Sequence, residues 1–189
     1  MSTGIIPEGL AILRRSGAKW VGGQLRYTVW ISKSTNGMLA PVVYVGDAKF
    51  GVATEGLGGM SIRVVGALEQ VPWPDSIDDS FAEDLRRCLG DAISFVVDRA
   101  DLCELFQSRE DVHRGTSYAE LQLANYPARL VQSLIIARDL GRADLEASVR
   151  IKLQEGPIQF KAAPTVDIYA SAKRWAREFE RALDISIPI

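Results

Sequence analysis

Gln24-Leu25-Arg26-Tyr27-Thr28-Val29-Trp30-Ile31-Ser32 is the stretch that decides the fold. Leu25, Tyr27, Val29 and Ile31 alternate with Arg26, Thr28 and Trp30, the period-two pattern of a strand with one apolar face. Upstream, Gly22-Gly23 separates it from the short run Lys19 to Val21, which predicts a β-hairpin. Downstream, Asn36-Gly37 is a type I′ turn signal leading into Leu39 to Val45, and Gly46-Asp47 then turns the chain into Lys49 to Ala53. Pro41 has no amide to donate, so it belongs near the start of its strand or at a sheet edge. After a loop containing Gly56, Gly58 and Gly59, Ser61 to Leu68 completes an antiparallel sheet of about five strands.

Helical signals flank this sheet. Pro7 and Glu8 open an apolar pattern that closes at Gly17, predicting a first helix of about ten residues. Val71-Pro72-Trp73-Pro74 reads as neither strand nor helix, because each proline restricts the residue before it, and it divides a sheet half from a helical half. Ser80 with Glu83 forms a capping box for a long helix carrying Phe81, Leu85, Leu89, Ile93, Val96 and Val97. Asp101 is placed to cap a short helix with Leu102, Leu105 and Phe106. Gln107 to Gly115 is polar and reads as an exposed loop. Pro127 to Leu140 and Arg142 to Leu153, joined at Gly141, read as an αα-hairpin. A last helix from about Thr165 to Leu183 has the stripe Ile168, Ala172, Trp175, Phe179 and Leu183. The expected fold is therefore α+β in one domain over 1–189. A helix and the antiparallel sheet occupy 1–71, and a helical half over 76–189 packs on them.

Bulk properties exclude several classes. The 189 residues are 47% hydrophobic and 24% charged, a globular composition. Twenty-two Lys and Arg against 24 Asp and Glu leave a net charge of -2, so no global field attracts a polyanion and nucleic acid is not expected as a partner. The apolar runs fall short of the roughly 20 residues that span a bilayer. With no secretory pattern at Met1-Ser2-Thr3-Gly4, the expected compartment is the cytoplasm, where Cys88 and Cys103 act as small core hydrophobes.

Residues that carry chemistry are sparse. His113 is the one imidazole, and with two cysteines it does not make the four-ligand set of a zinc site. No elbow motif supplies a serine nucleophile. The Gly56 to Gly59 run precedes a strand rather than a helix and lacks the lysine of a P-loop, so it reads as a turn. Asp75, Asp78 and Asp79, with Glu83 and Asp84, suit the positive end of the long helix. No cofactor and no metal are expected. Trp30, on the polar side of its strand, and Trp73, at the boundary, are candidate interaction residues. With Asp75, Asp78, Asp79 and His113 they form the candidate surface.

A helix ending at Gly17, Trp20, Trp30-Ile31-Ser32-Lys33-Ser34, Phe50-Gly51-Val52 and Ile93-Ser94-Phe95 with Leu105-Phe106 carry a family likeness over about half the chain. On these residues the chain resembles a bacterial domain-of-unknown-function family with toxin-immunity-like relatives. The resemblance implies a helix-flanked antiparallel sheet and no catalytic residue. The leading expectation is a protein-binding, immunity-like protein without catalytic activity. The second is an enzyme or small-ligand binder with a pocket between sheet and helices. The alternating tail Ile185 to Ile189 suits strand addition to a second copy, which adds a homodimer to the expected partners.

Overall fold

The computed structural model describes residues 17–33, 38–64, 71–72, 96–109, 112–113, 116–117, 125–159 and 165–189. The first expected helix, the body of the long helix, Cys88, Trp73, Asp75, Asp78 and Asp79 lie outside the described residues. What is described is α+β with an antiparallel sheet.

Three long strands make the body of the sheet: β1 (Gly17–Gly22), β2 (Leu25–Lys33) and β3 (Met38–Asp47). Gly17, expected as a helix stop, opens β1 opposite Trp30. Gly23, at φ +63°, supplies the left-handed residue of the tight β1–β2 turn. The expectation of about five strands is corrected here. β4 (Ser61–Val64) and β5 (Val71–Pro72) are short segments that share one edge of β3, pairing with residues 43–46 and 38–39 respectively. Pro41 falls in the gap between them, where among the described residues that edge is unpaired and no amide is required. Val71 and Pro72 do extend the sheet. They do so at its margin, where a proline costs no interior ladder bond.

The segment expected as a strand from Lys49 to Ala53 is instead a chain of tight turns. The Asp47 carboxylate accepts the Phe50 amide at 2.8 Å, Gly51 N donates to Asp47 O at 3.0 Å and Thr54 N to Phe50 O at 3.1 Å. Asp side chains capture nearby backbone in this way, and that competes with a sheet ladder. A 3₁₀ turn at Glu55–Leu57 follows.

All four described helices follow the sheet: α1 (Arg99–Phe106), α2 (Tyr126–Asp139), α3 (Ala143–Leu153) and α4 (Ile168–Leu183). Val96 and Val97, expected at the end of the long helix, precede α1 in non-helical backbone. The cap of α1 is Asp98, whose carboxylate accepts the Asp101 amide at 2.8 Å, while Asp101 reaches back to the Val97 amide at 3.1 Å. The cap thus lies three residues before the expected Asp101. α2 is the hub: only Arg138 and Asp139 of its residues escape burial, and it touches α1, α3 and α4. It ends in a Schellman motif, with Arg142 N bonded to Ala137 O and Gly141 N to Arg138 O, both at 3.0 Å, around Gly141 at φ +66°. The αα-hairpin expected around Gly141 is therefore present.

Register explains the core. Tyr27, Val45 and Ile62 form one row across β2, β3 and β4, with Leu25 beside it, all nearly inaccessible. They merge with Leu102, Phe106, Leu130, Leu134 and Phe179 from the helices. Gln107, expected in an exposed loop, is buried; it bonds Ser148 at 2.8 Å and its carbonyl accepts from Lys152 at 3.2 Å. The rest of that stretch holds β6 (Val112–His113) paired with β7 (Thr116–Ser117). The tail folds back on its own chain. Ile187 is buried, its amide bonds Glu180 at 2.7 Å, and Arg138 donates to Pro188 O at 3.0 Å.

Candidate functional site

The face of the sheet opposite the core carries a cleft. Arg26, Gly46 and Ser61 form one cross-strand row and Thr28 and Tyr44 the next, so five residues on three strands share this face. The loop Glu55, Gly58 and Gly59 flanks one side, and the open space between them is about 190 Å³. No described helix contributes to its lining.

Local chemistry fixes the loop over the sheet. Arg26, 13% exposed, gives one 3.1 Å hydrogen bond to Glu55, which is 54% exposed. Its guanidinium lies along Gly51 and Gly59, where a Cβ would come within 3.3 and 3.9 Å of Nη1. Ser61 Oγ donates to Gly58 O at 2.7 Å. Gly58, Gly59 and Met60 are successive left-handed residues, at φ +92°, +66° and +44°. Met60 carries a cost of about 1–2 kcal/mol there, and its fully buried side chain holds it in place. The glycine run is thus a fitted loop leading into a strand, as its position before Ser61 implied. The hydroxyls of Thr28 and Tyr44 make no hydrogen bond to the described residues.

Behind the sheet a second cluster holds the loop's base. Asp47, at the end of β3 on the core face opposite Leu25, is fully buried and binds Arg99 Nε at 2.5 Å. Arg99 also donates to Asp139 at 2.7 Å, Asp139 pairs with Lys49, and both cations lie over the Phe50 ring. Arg99 stands in the first turn of α1 and Asp139 in the last of α2, the ends where each charge opposes the helix dipole. Their pairing offsets both conflicts.

Titratable groups here serve structure. Burial pushes the Cys103 thiol up, against hydrogen bonds with Ser133 and Gln107, so its thiolate is disfavoured. Burial likewise raises Tyr27 and Tyr126. Burial would raise Asp139, but bonds from Lys49 and Arg99 outweigh it and hold the carboxyl below its usual range; Arg150 and Arg138 do the same for Glu146. Arg142 holds Asp144 at about 2. Each carboxyl therefore contributes stability that is complete above its unfolded value near 4 and is lost as pH falls through its lower folded value. The melting temperature at constant ionic strength is expected to be level above about pH 5 and to fall steadily from about pH 4 toward 2. A melt unchanged across that interval would contradict these pairings.

Of the candidate residues read from the sequence, position 30 lies in the same alternation of β2 as Arg26 and Thr28, and His113 lies in β6 opposite Thr116. The two positions belong to different sheets. Among the described residues no group of three or more His, Cys, Asp or Glu is placed to hold a metal, and no described helix is long and apolar enough to cross a membrane. Sequence reading passed over Arg26, Tyr44, Glu55 and Ser61; the one signal available was the polar side of the β2 alternation. No protein-family model, curated protein or solved structure matches the chain.

Proposed function

We propose that this chain is a binding protein that engages a protein partner through the outer face of its sheet, without catalysing a reaction. The carrying observation is the cleft over β2, β3 and β4. It sets a nearly buried arginine beside two hydroxyls, from Thr28 and Tyr44, that make no hydrogen bond to the described residues. Polar groups held in place in this way can bond a partner at low ordering cost. The volume of about 190 Å³ lies under the roughly 300–1,000 Å³ of small-molecule pockets, which favours one or two side chains of a partner over a free ligand. The perturbed groups also support binding over catalysis: the lowered carboxyls are held by arginine or lysine and the raised thiol by burial. An immunity-like role is a special case, in which the partner is a toxin.

Thr28→Arg tests the reading, because it fills the cleft from a half-buried position and leaves the core face alone. The melting temperature is expected to stay within about 2 °C, as for other surface changes. A partner recovered in stoichiometric amount from the native cell by the unsubstituted chain is expected to bind the variant at least tenfold more weakly in calorimetry. Equal binding by both chains would place recognition elsewhere, and recovery of no partner would overturn the binding reading.

A further inference from the structure

We infer that the partner lays an extended acidic segment across the strands of this face, along a row of residues that strand register lines up. This rests on the proposed partner-binding role of the same face and names the chemistry that the face takes. Lys19 pairs with Thr28, Thr28 with Tyr44 and Tyr44 with Arg63. One row therefore crosses β1, β2, β3 and β4, with a cation position at each end and two hydroxyl residues between them. Arg26 stands in the next row, opposite Val21 and Gly46. Successive strand residues face opposite ways, so these positions share the side of the sheet away from Tyr27, Val45 and Ile62. On that side, the paired positions of β1 to β4 hold Lys or Arg three times and Asp or Glu nowhere. Glu55, from the flanking loop, offsets one of the three charges through its bond to Arg26. A chain with a net charge of -2 thus turns a basic sheet face outward.

Strand spacing sets the size of the segment. Neighbouring strands lie about 4.8 Å apart, so the row from β1 to β4 spans about 14 Å. Alternate side chains of an extended chain repeat at about 6.7 Å, so acidic residues four apart on the partner fall opposite positions 19 and 63. The residue midway between them meets Thr28 and Tyr44, which line the cleft and whose hydroxyls donate readily to a carboxylate. Nucleic acid is the rival anion, and the charge distribution disfavours it. A specific protein–DNA complex neutralises roughly 6–10 phosphates, whereas this face offers three cation positions on an acidic chain. Tyr and Arg, both present here, are also enriched at the energetic centres of protein interfaces.

The test titrates the 15N-labelled full chain with a capped peptide alternating glutamate and serine, with its lysine counterpart and with single-stranded oligothymidylate. The expected result is saturable movement of β1 to β4 amide signals with the glutamate peptide, at an affinity that falls as salt rises. Lys19→Glu and Arg63→Glu should each weaken binding about three- to tenfold, since each loses an attraction and gains a repulsion. The two effects should multiply, because about 14 Å separates the positions. Lys19→Gln and Arg63→Gln remove charge without reversing it, should give smaller losses, and serve if a reversal unfolds the chain. Arg181→Glu, on α4 and 73% exposed, makes the same change in net charge and should leave the affinity within about twofold. The inference is overturned by no saturable shift, by equal binding of the glutamate and lysine peptides, or by tighter binding of the oligonucleotide. It is overturned equally by reversals at 19 and 63 that weaken binding no more than Arg181→Glu does. Should Thr28→Arg disable partner binding while those reversals leave it intact, the acidic chemistry fails and the partner-binding face stands.

Discussion

Arg99→Met is expected to lower the free energy of unfolding at pH 7 by about 3–5 kcal/mol, the cost of leaving a buried charge without its partner. Asp47 sets the size of the effect. It is inaccessible to solvent, and once Arg99 is gone its carboxylate keeps, among the described residues, only the Phe50 amide. Asp139 suffers less, since it is partly exposed and retains Lys49. A hydrophobic replacement of similar length keeps the packing over Phe50, so the loss reports on charge rather than on a cavity. Urea titration should show a lower midpoint with an unchanged slope. Combining Arg99→Met with Asp139→Asn should cost less than the sum of the two, because the second change removes a charge that the first strands. A loss below about 1 kcal/mol would mean that water reaches Asp47.

That cluster also marks where sequence reading stopped. The strand β2 was legible because Leu25 and Tyr27 alternate with Arg26 and Thr28 within nine residues, and the α2–α3 hairpin because Pro127 and Gly141 are local punctuation. Arg99 meets Asp47 and Asp139 across separations of 52 and 40 residues, and no pattern within a window of ten or twenty encodes such a pair. Arg99 and Asp139, read locally, each sit at the wrong end of a helix. Only the assembled fold shows why it is tolerated.

The cleft was illegible for a related reason. Arg26, Gly46 and Ser61 become neighbours through strand register, which the sequence specifies only once the pairing is known. Candidate residues chosen for their chemical type, such as Trp30 and His113, belong to different elements, β2 and β6. The strand expected at Lys49 to Ala53 failed because Asp47, read as a mere turn residue, captures the Phe50 amide and commits the backbone to successive turns. Val52, expected in a ladder, is 70% exposed.

Gly51→Ala is the sharpest test of that loop. The added Cβ would meet the Asp47 carbonyl oxygen closer than Cβ atoms approach real neighbours, and Gly59 O at 3.0 Å, both backbone atoms. Neither can swing aside as a side chain would. The Asp47 carbonyl belongs to a residue tied to Arg99 and bonded through its amide to Met60 O at 3.1 Å, and Gly59 leads directly into β4 through the strained Met60. Relief must come from the backbone, at about 3 kcal/mol, the upper part of the range for overpacking. Gly56→Ala in the same loop is the control. It meets nothing within 4 Å and its φ lies outside the left-handed region, so it should be neutral or stabilise by up to about 1 kcal/mol through the unfolded chain. Thermal and urea unfolding should therefore show a loss for Gly51→Ala and none for Gly56→Ala, five residues away. Equal behaviour of the pair would show that the base of the loop is no tighter than its tip.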